Sequence, residues 1–120
     1  MLRRRLLGTR KGTSVAEIAP REAHERMVSG EAVLVDVREH SEWEKGRIPG
    51  SVHVPLSQIR SRGSGGMPEG KKLVLVCRSG ARSALAASML SEDDAWHAAN
   101  LSGGVQAWVR EGLPFEATFE

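Results

Sequence analysis

Cys77 is the only cysteine in this 120-residue chain, and Arg78 and Arg82 stand within five positions of it, with Gly80 between them. Residues so grouped suit one kind of chemistry, a thiolate attacking an electrophile that positive charge holds in place. Up to and including the cysteine, Lys-Lys-Leu-Val-Leu-Val-Cys over 71–77 reads as a buried strand. Behind it, Ala84, Leu85, Ala86, Ala87, Met89 and Leu90 read as a helix with one apolar face. A loop that leads into a helix N-terminus collects unpaired backbone N–H groups and the positive end of the macrodipole. A thiol there is expected to ionise below its free value of about 8.5, and the same donors to hold an oxyanion substrate and its leaving group. The opposite reading is an inert strand-end cysteine; two adjacent guanidinium groups weigh against it, because arginine is seldom buried unpaired.

Within this loop Arg78 is expected to face incoming anions and Arg82 to point at the loop's own carbonyls or at substrate. Ser83 either donates a hydroxyl hydrogen bond toward the sulfur or caps the helix. Asp36 and Arg38 read as a structural pair beside the loop, Gly103 and Gly104 as turn residues with unusual φ, and Trp43 and Trp108 as core anchors. His24, His40, His53 and His97 lack metal-ligand spacing and read as solvated or hydrogen-bonded.

The elements that must position these residues alternate. Ile18-Ala19-Pro20-Arg21-Glu22 reads as a helix start, continued by Ala23, Met27 and Val28 and stopped at Ser29-Gly30. The β-branched run 32–37 predicts a strand in the middle of a parallel sheet, 39–45 a helix, 46–50 a turn, and 51–55 a short strand. Four Gly, two Ser and a Pro make 60–70 a flexible loop. After the helix that follows Cys77, 91–94 breaks the pattern, 96–101 reads as a weak strand and 105–111 as a last helix. Strands alternating with helices imply an α/β sheet with right-handed crossovers.

Composition bounds the rest. The chain is one domain long, 40% hydrophobic, and has no apolar run near the roughly 18 residues of a membrane span. A lone cysteine closes no internal disulfide. The net charge of +2 is uneven: five of 17 basic residues fall in the first 12 positions, and beyond them 12 basic residues face 15 acidic ones. The basic character therefore belongs to a tail, 1–14, ahead of a domain at 15–120, and argues for no nucleic-acid or membrane partner. That tail reads as solvated and disordered in a cytoplasmic protein; organellar import through its Arg-rich, acid-free start is the alternative.

In order along the chain, Val35-Asp36-Val37-Arg38-Glu39, Glu42-Trp43, Gly46-Arg47-Ile48-Pro49-Gly50-Ser51-Val52-His53-Val54-Pro55, Cys77-Arg78-Ser79-Gly80-Ala81-Arg82-Ser83 and Leu101-Ser102-Gly103-Gly104-Val105-Gln106-Ala107-Trp108 resemble the blocks of single-domain rhodaneses, over about residues 15–115. The resemblance implies an α/β, rhodanese-like fold, an open parallel central sheet flanked by helices on both faces. It implies a thiosulfate sulfurtransferase in which Cys77 is catalytic, Arg78, Ser79, Gly80, Ala81, Arg82 and Ser83 bind substrate, and Asp36 and Arg38 give structural support. No cofactor or metal is implied. The partners implied are small sulfur donors and acceptors such as thiosulfate, cyanide or thiols, with a thioredoxin-like or sulfur-carrier protein as a further candidate.

Four residues separate Cys77 from Arg82, whereas related phosphatases have a loop one residue longer, so a sulfur substrate is expected. The rivals are an oxyanion enzyme of the same fold, a phosphatase or arsenate reductase, and a non-catalytic relay or docking module. Three places depart from the pattern: Arg47 stands where the family has His, Asp94-Ala95 where it has a Gly-aromatic pair, and the Gly-rich 60–70 where relatives have helix. That last stretch is expected to form a mobile wall that governs which acceptor fits.

Overall fold

The computed structural model describes residues 15–91 and 97–118; the expected tail, the Asp94-Ala95 departure and Trp96 lie outside them. Five parallel strands form the central sheet in the order β1 (Ala16–Ile18), β6 (Ala98–Leu101), β5 (Lys72–Val76), β2 (Ala32–Asp36), β4 (Val52–His53). The strands that read as continuous apolar runs, β2 and β5, are its paired centre, buried on both faces.

Alternation along these strands sorts the core. Val35, Val37, Leu73, Leu75 and Cys77 face one side, under α3 (Leu56–Arg62) and α4 (Ala81–Leu90). Leu34, Val74 and Val76 face the other, under α1 (Pro20–Val28) and α5 (Gly104–Arg110), where Trp108 is fully buried. Helices thus cover both faces, and Cys77 points into the α4 side at the carboxyl end of the central strand. Among the described residues no helix is long and apolar enough to cross a membrane.

Three expectations are corrected. Residues 60–70 are not a loop throughout: α3 runs to Arg62 and a 3-10 turn follows over Gly63–Gly66. Glycine content concealed the anchors, because Ile59 and Met67 are buried at either end of the stretch and tie it to the core. Residues 16–18, of which the sequence pattern places only Ile18, in a helix start, form an edge strand whose pairing with residues 99–101 no local pattern announces. Within the expected turn 46–50, Gly46–Arg47 forms β3, antiparallel to β7 (Glu116–Ala117), again a non-local pairing. In α1, Ala23 is buried but Val28 is exposed, because Val28 ends the helix off the buried stripe.

Candidate active site

Cys77 follows β5 directly and is 1% exposed. Its Sγ accepts the backbone N–H of Gly80 at 3.1 Å and lies 3.3 Å from Ser83 Oγ. The chain curls back on the sulfur because Gly80, the residue before α4, sits at φ +113°, a conformation L side chains rarely adopt. Ser83 lies inside the first turn of α4 and is fully buried, so its hydroxyl faces the sulfur and does not cap the helix.

Burial pushes the Cys77 thiol up, but the Ser83 hydroxyl and the backbone N–H groups of Ser83, Gly80 and Ser79 outweigh it, and the thiol lies below its ordinary range. Sequence reasoning credited the backbone N–H groups of the helix N-terminus together with two flanking guanidiniums; the donors that carry the shift are those backbone N–H groups and the Ser83 hydroxyl. Ser83 is itself held. Its Oγ is 2.5 Å from Oδ1 of the buried Asn100, whose Nδ2 donates to Glu17 at 3.1 Å, and Ser102 Oγ donates to the same carboxylate at 2.8 Å. With one hydroxyl proton, Ser83 serves the sulfur only by releasing Asn100 Oδ1.

The reaching direction expected of Arg82 is corrected: its guanidinium makes a two-pronged pair with Glu42, Nη1 to Oε1 at 2.7 Å and Nη2 to Oε2 at 2.9 Å. A carboxylate offers a fork-shaped group two charged bonds at once, which loop carbonyls cannot. The Arg82 bond is the main reason the Glu42 carboxyl is lowered to about 2. Glu42 also accepts the N–H of Glu39, closing a capping box on α2 (His40–Lys45). Arg78, in contrast, is exposed and has no ion-pair partner among the described residues.

Asp36 and Arg38 do pair, at 2.8 Å and almost wholly buried, and Arg38 Nη2 also donates to Gly46 O at 2.7 Å. His53 Nε2 donates to Arg38 O at 2.8 Å, and its ring stacks on Trp43 at 4.7 Å and 7°. Trp43 is therefore no core anchor: half-exposed, it lies against His53, with Arg47 5.0 Å from its ring centre. The Arg47 departure fills a position over the Trp43 ring. On the far side of the loop, Val105 N–H donates to Cys77 O at 2.8 Å and Gln106 N–H to Arg78 O at 3.0 Å, so α5 clamps the loop's first two carbonyls. Gly103 and Gly104 have positive φ, as their sequence context led one to expect.

The residues missed by sequence reasoning are Glu17 and Asn100, which nothing local marks: they meet 83 positions apart. Glu42 stood within a recognised block, yet its link to Arg82 spans 40 positions.

Two consequences are testable. Ser83→Ala removes the strongest of the donors that lower Cys77, so the acid limb of Cys77 alkylation by iodoacetamide is expected to move to higher pH. Below that limb the rate should drop about tenfold, the worth of one hydrogen bond to a charged atom; an unmoved limb would show that the backbone donors suffice. Glu42→Gln keeps an oxygen for the capping box and removes the charge. The depressed Glu42 pKa stabilises the fold above the ordinary carboxylate range, and that stability is lost as pH falls toward about 2. Denaturant titration is expected to find the variant less stable by about 1 kcal/mol at pH 7 and the gap to close on acidification through this window.

Residues 19–111 match the family described as Rhodanese-like domain. A "Sulfurtransferase" of Allochromatium vinosum is 38% identical over 86% of this chain and 96% of its own length. The "Putative sulfur carrier protein YrkF" of Bacillus subtilis is 32% identical over 81% of this chain, which spans about half (52%) of that protein. The crystal structure of a rhodanese-related protein from Thermoplasma volcanium superposes with a TM-score of 0.75 at 30% identity, over 83% of this chain and 96% of its own.

Proposed function

The chain belongs to the rhodanese-like domain family, and from that membership we propose that it is a sulfurtransferase, moving sulfane sulfur from thiosulfate or a similar donor to a thiophilic acceptor through a persulfide on Cys77. The observation that carries the reading is the buried Cys77 sulfur, drawn below the ordinary thiol range by the loop and first turn that follow it. The sulfurtransferase relative of similar length supports it. So does the short span from Cys77 to Arg82.

In the first half-reaction the Cys77 thiolate attacks the outer sulfur of thiosulfate; the sulfur–sulfur bond of the donor breaks and sulfite leaves with its electron pair. Arg78 meets the incoming dianion, and the N–H groups that held the thiolate hold the charged outer sulfur of the persulfide. In the second, cyanide or a thiolate attacks that outer sulfur, the persulfide bond breaks and the Cys77 thiolate returns. Because the chain has one cysteine, no internal thiol resolves the persulfide, and turnover follows double-displacement kinetics.

Intact-protein mass tests the reading. Incubation with thiosulfate is expected to add one sulfur, about 32 Da, and cyanide to remove it. A chain that takes up no sulfur from thiosulfate or from an organic persulfide would overturn it.

A further inference from the structure

Beside the Cys77 loop lies an open groove of about 700 Å³, with Arg78 at the loop and Lys45, Val105, Val109, Arg110 and Phe115 along the rest of its lining. Thiosulfate is met by the loop and has no use for the rest of this groove. Two features mark its length. Lys45, Arg78 and Arg110 have no ion-pair partner among the described residues, while Val109 is 47% exposed and continues the apolar floor of Val105 and Phe115.

Most of the neighbouring acids already have cationic partners. Glu42, the one acid in the described lining, is held by Arg82, Glu111 faces Arg21 and Glu116 faces Arg47, while Glu44 accepts from His40. Arg38, which also borders the groove, is neutralised by Asp36. Three unmatched cations beside an apolar strip, with Arg78 of the Cys77 loop at one border, complement a polypeptide that carries both carboxylates and apolar side chains.

Resting on the sulfurtransferase reading above, we propose that this groove docks the thiol-bearing segment of an acidic, partly apolar acceptor polypeptide. The peptide thiolate attacks the outer sulfur of the Cys77 persulfide, the persulfide bond breaks with its electron pair returning to Cys77 Sγ, and the sulfur leaves as a hydropersulfide on the peptide. Lys45 and Arg110 select the acceptor without touching the reacting atoms.

The experiment uses two synthetic thiol peptides, acetyl-Glu-Leu-Glu-Cys-amide and acetyl-Lys-Leu-Lys-Cys-amide, with mercaptosuccinate as a small dicarboxylate thiol and cyanide as reference. Loading with sulfur is scored first by mass, so failure there strikes the sulfurtransferase reading and is told apart from failure of docking. With loaded protein, the acidic peptide is expected to discharge the persulfide about tenfold faster than the basic one, and faster than mercaptosuccinate. Added salt should shrink the preference. In the Lys45→Glu/Arg110→Glu double variant the preference should vanish or invert, with discharge by cyanide unchanged within about twofold. Equal peptide rates, mercaptosuccinate matching the acidic peptide, or a preference that survives the double variant each overturn the proposal.

Discussion

Cys77→Ser is expected to lower sulfur transfer by about four orders of magnitude or more, because the substitution removes the atom on which both half-reactions turn. Serine fits the place: it is slightly smaller, and Gly80 N–H and Ser83 Oγ lie where they can meet an oxygen. The loop that brings a thiol below its ordinary range does not bring a hydroxyl into reach of neutral pH. Even an ionised serine forms no persulfide to store the sulfur. Turnover with thiosulfate and cyanide, beside a thermal melt to show the fold intact, checks this. Retention of more than about one hundredth of wild-type turnover in a folded variant would move the chemistry away from Cys77.

The parts of this site that are contiguous in sequence were legible there. A buried strand, a cysteine at its carboxyl end, a glycine turn and an apolar helix follow one another over 71–90, so local pattern alone sets the nucleophile at a helix N-terminus. The pairing of Asp36 with Arg38 was legible for the same reason: in extended chain residues two apart share a side, and only Val37, on the opposite side, lies between them. What tunes the cradle was not legible. Arg82 finds Glu42, and Ser83 finds Asn100 and through it Glu17, only because β2, β5, β6 and β1 lie side by side in the sheet. Of the two sources the sequence reading named, the backbone donors of the helix N-terminus hold the sulfur, while the Arg82 guanidinium turns to Glu42.

Composition misled where two apolar residues outweighed many glycines. The stretch 60–70 is rich in the residues of loops, yet Ile59 ahead of it and Met67 within it are buried, and burying both anchors favours an ordered helix and turn over the entropy of an open loop. That anchoring also weakens the idea of a mobile wall and turns attention to the α5 side, where Arg78, Val109 and Arg110 line the groove.

Gly104→Ala is expected to damage stability and turnover together, because this position touches the loop through its backbone. Gly104 opens α5 at φ +61°, and a Cβ there would collide with the carbonyl oxygens of Cys77 and Arg78. Backbone oxygens cannot rotate away as a side chain would. The left-handed conformation costs alanine about 1–2 kcal/mol. Overpacking against the two carbonyls adds about 1–3 kcal/mol unless the helix withdraws. Withdrawal relieves the clash and breaks the bonds from Val105 and Gln106 N–H to those same carbonyls, freeing the segment that sets Cys77 against Gly80 and Ser83. A displacement of about 1 Å at reacting groups costs about a hundredfold in rate, so turnover should fall by about that factor even at temperatures where the variant remains folded. Gly103→Ala separates the two effects: its added Cβ would meet only Ala107, within α5 itself, and it is expected to lose stability with a smaller loss of turnover per folded molecule. If Gly104→Ala melted lower but kept wild-type turnover and an unshifted pH profile of Cys77 alkylation, the clamp of α5 on the loop would be structural alone.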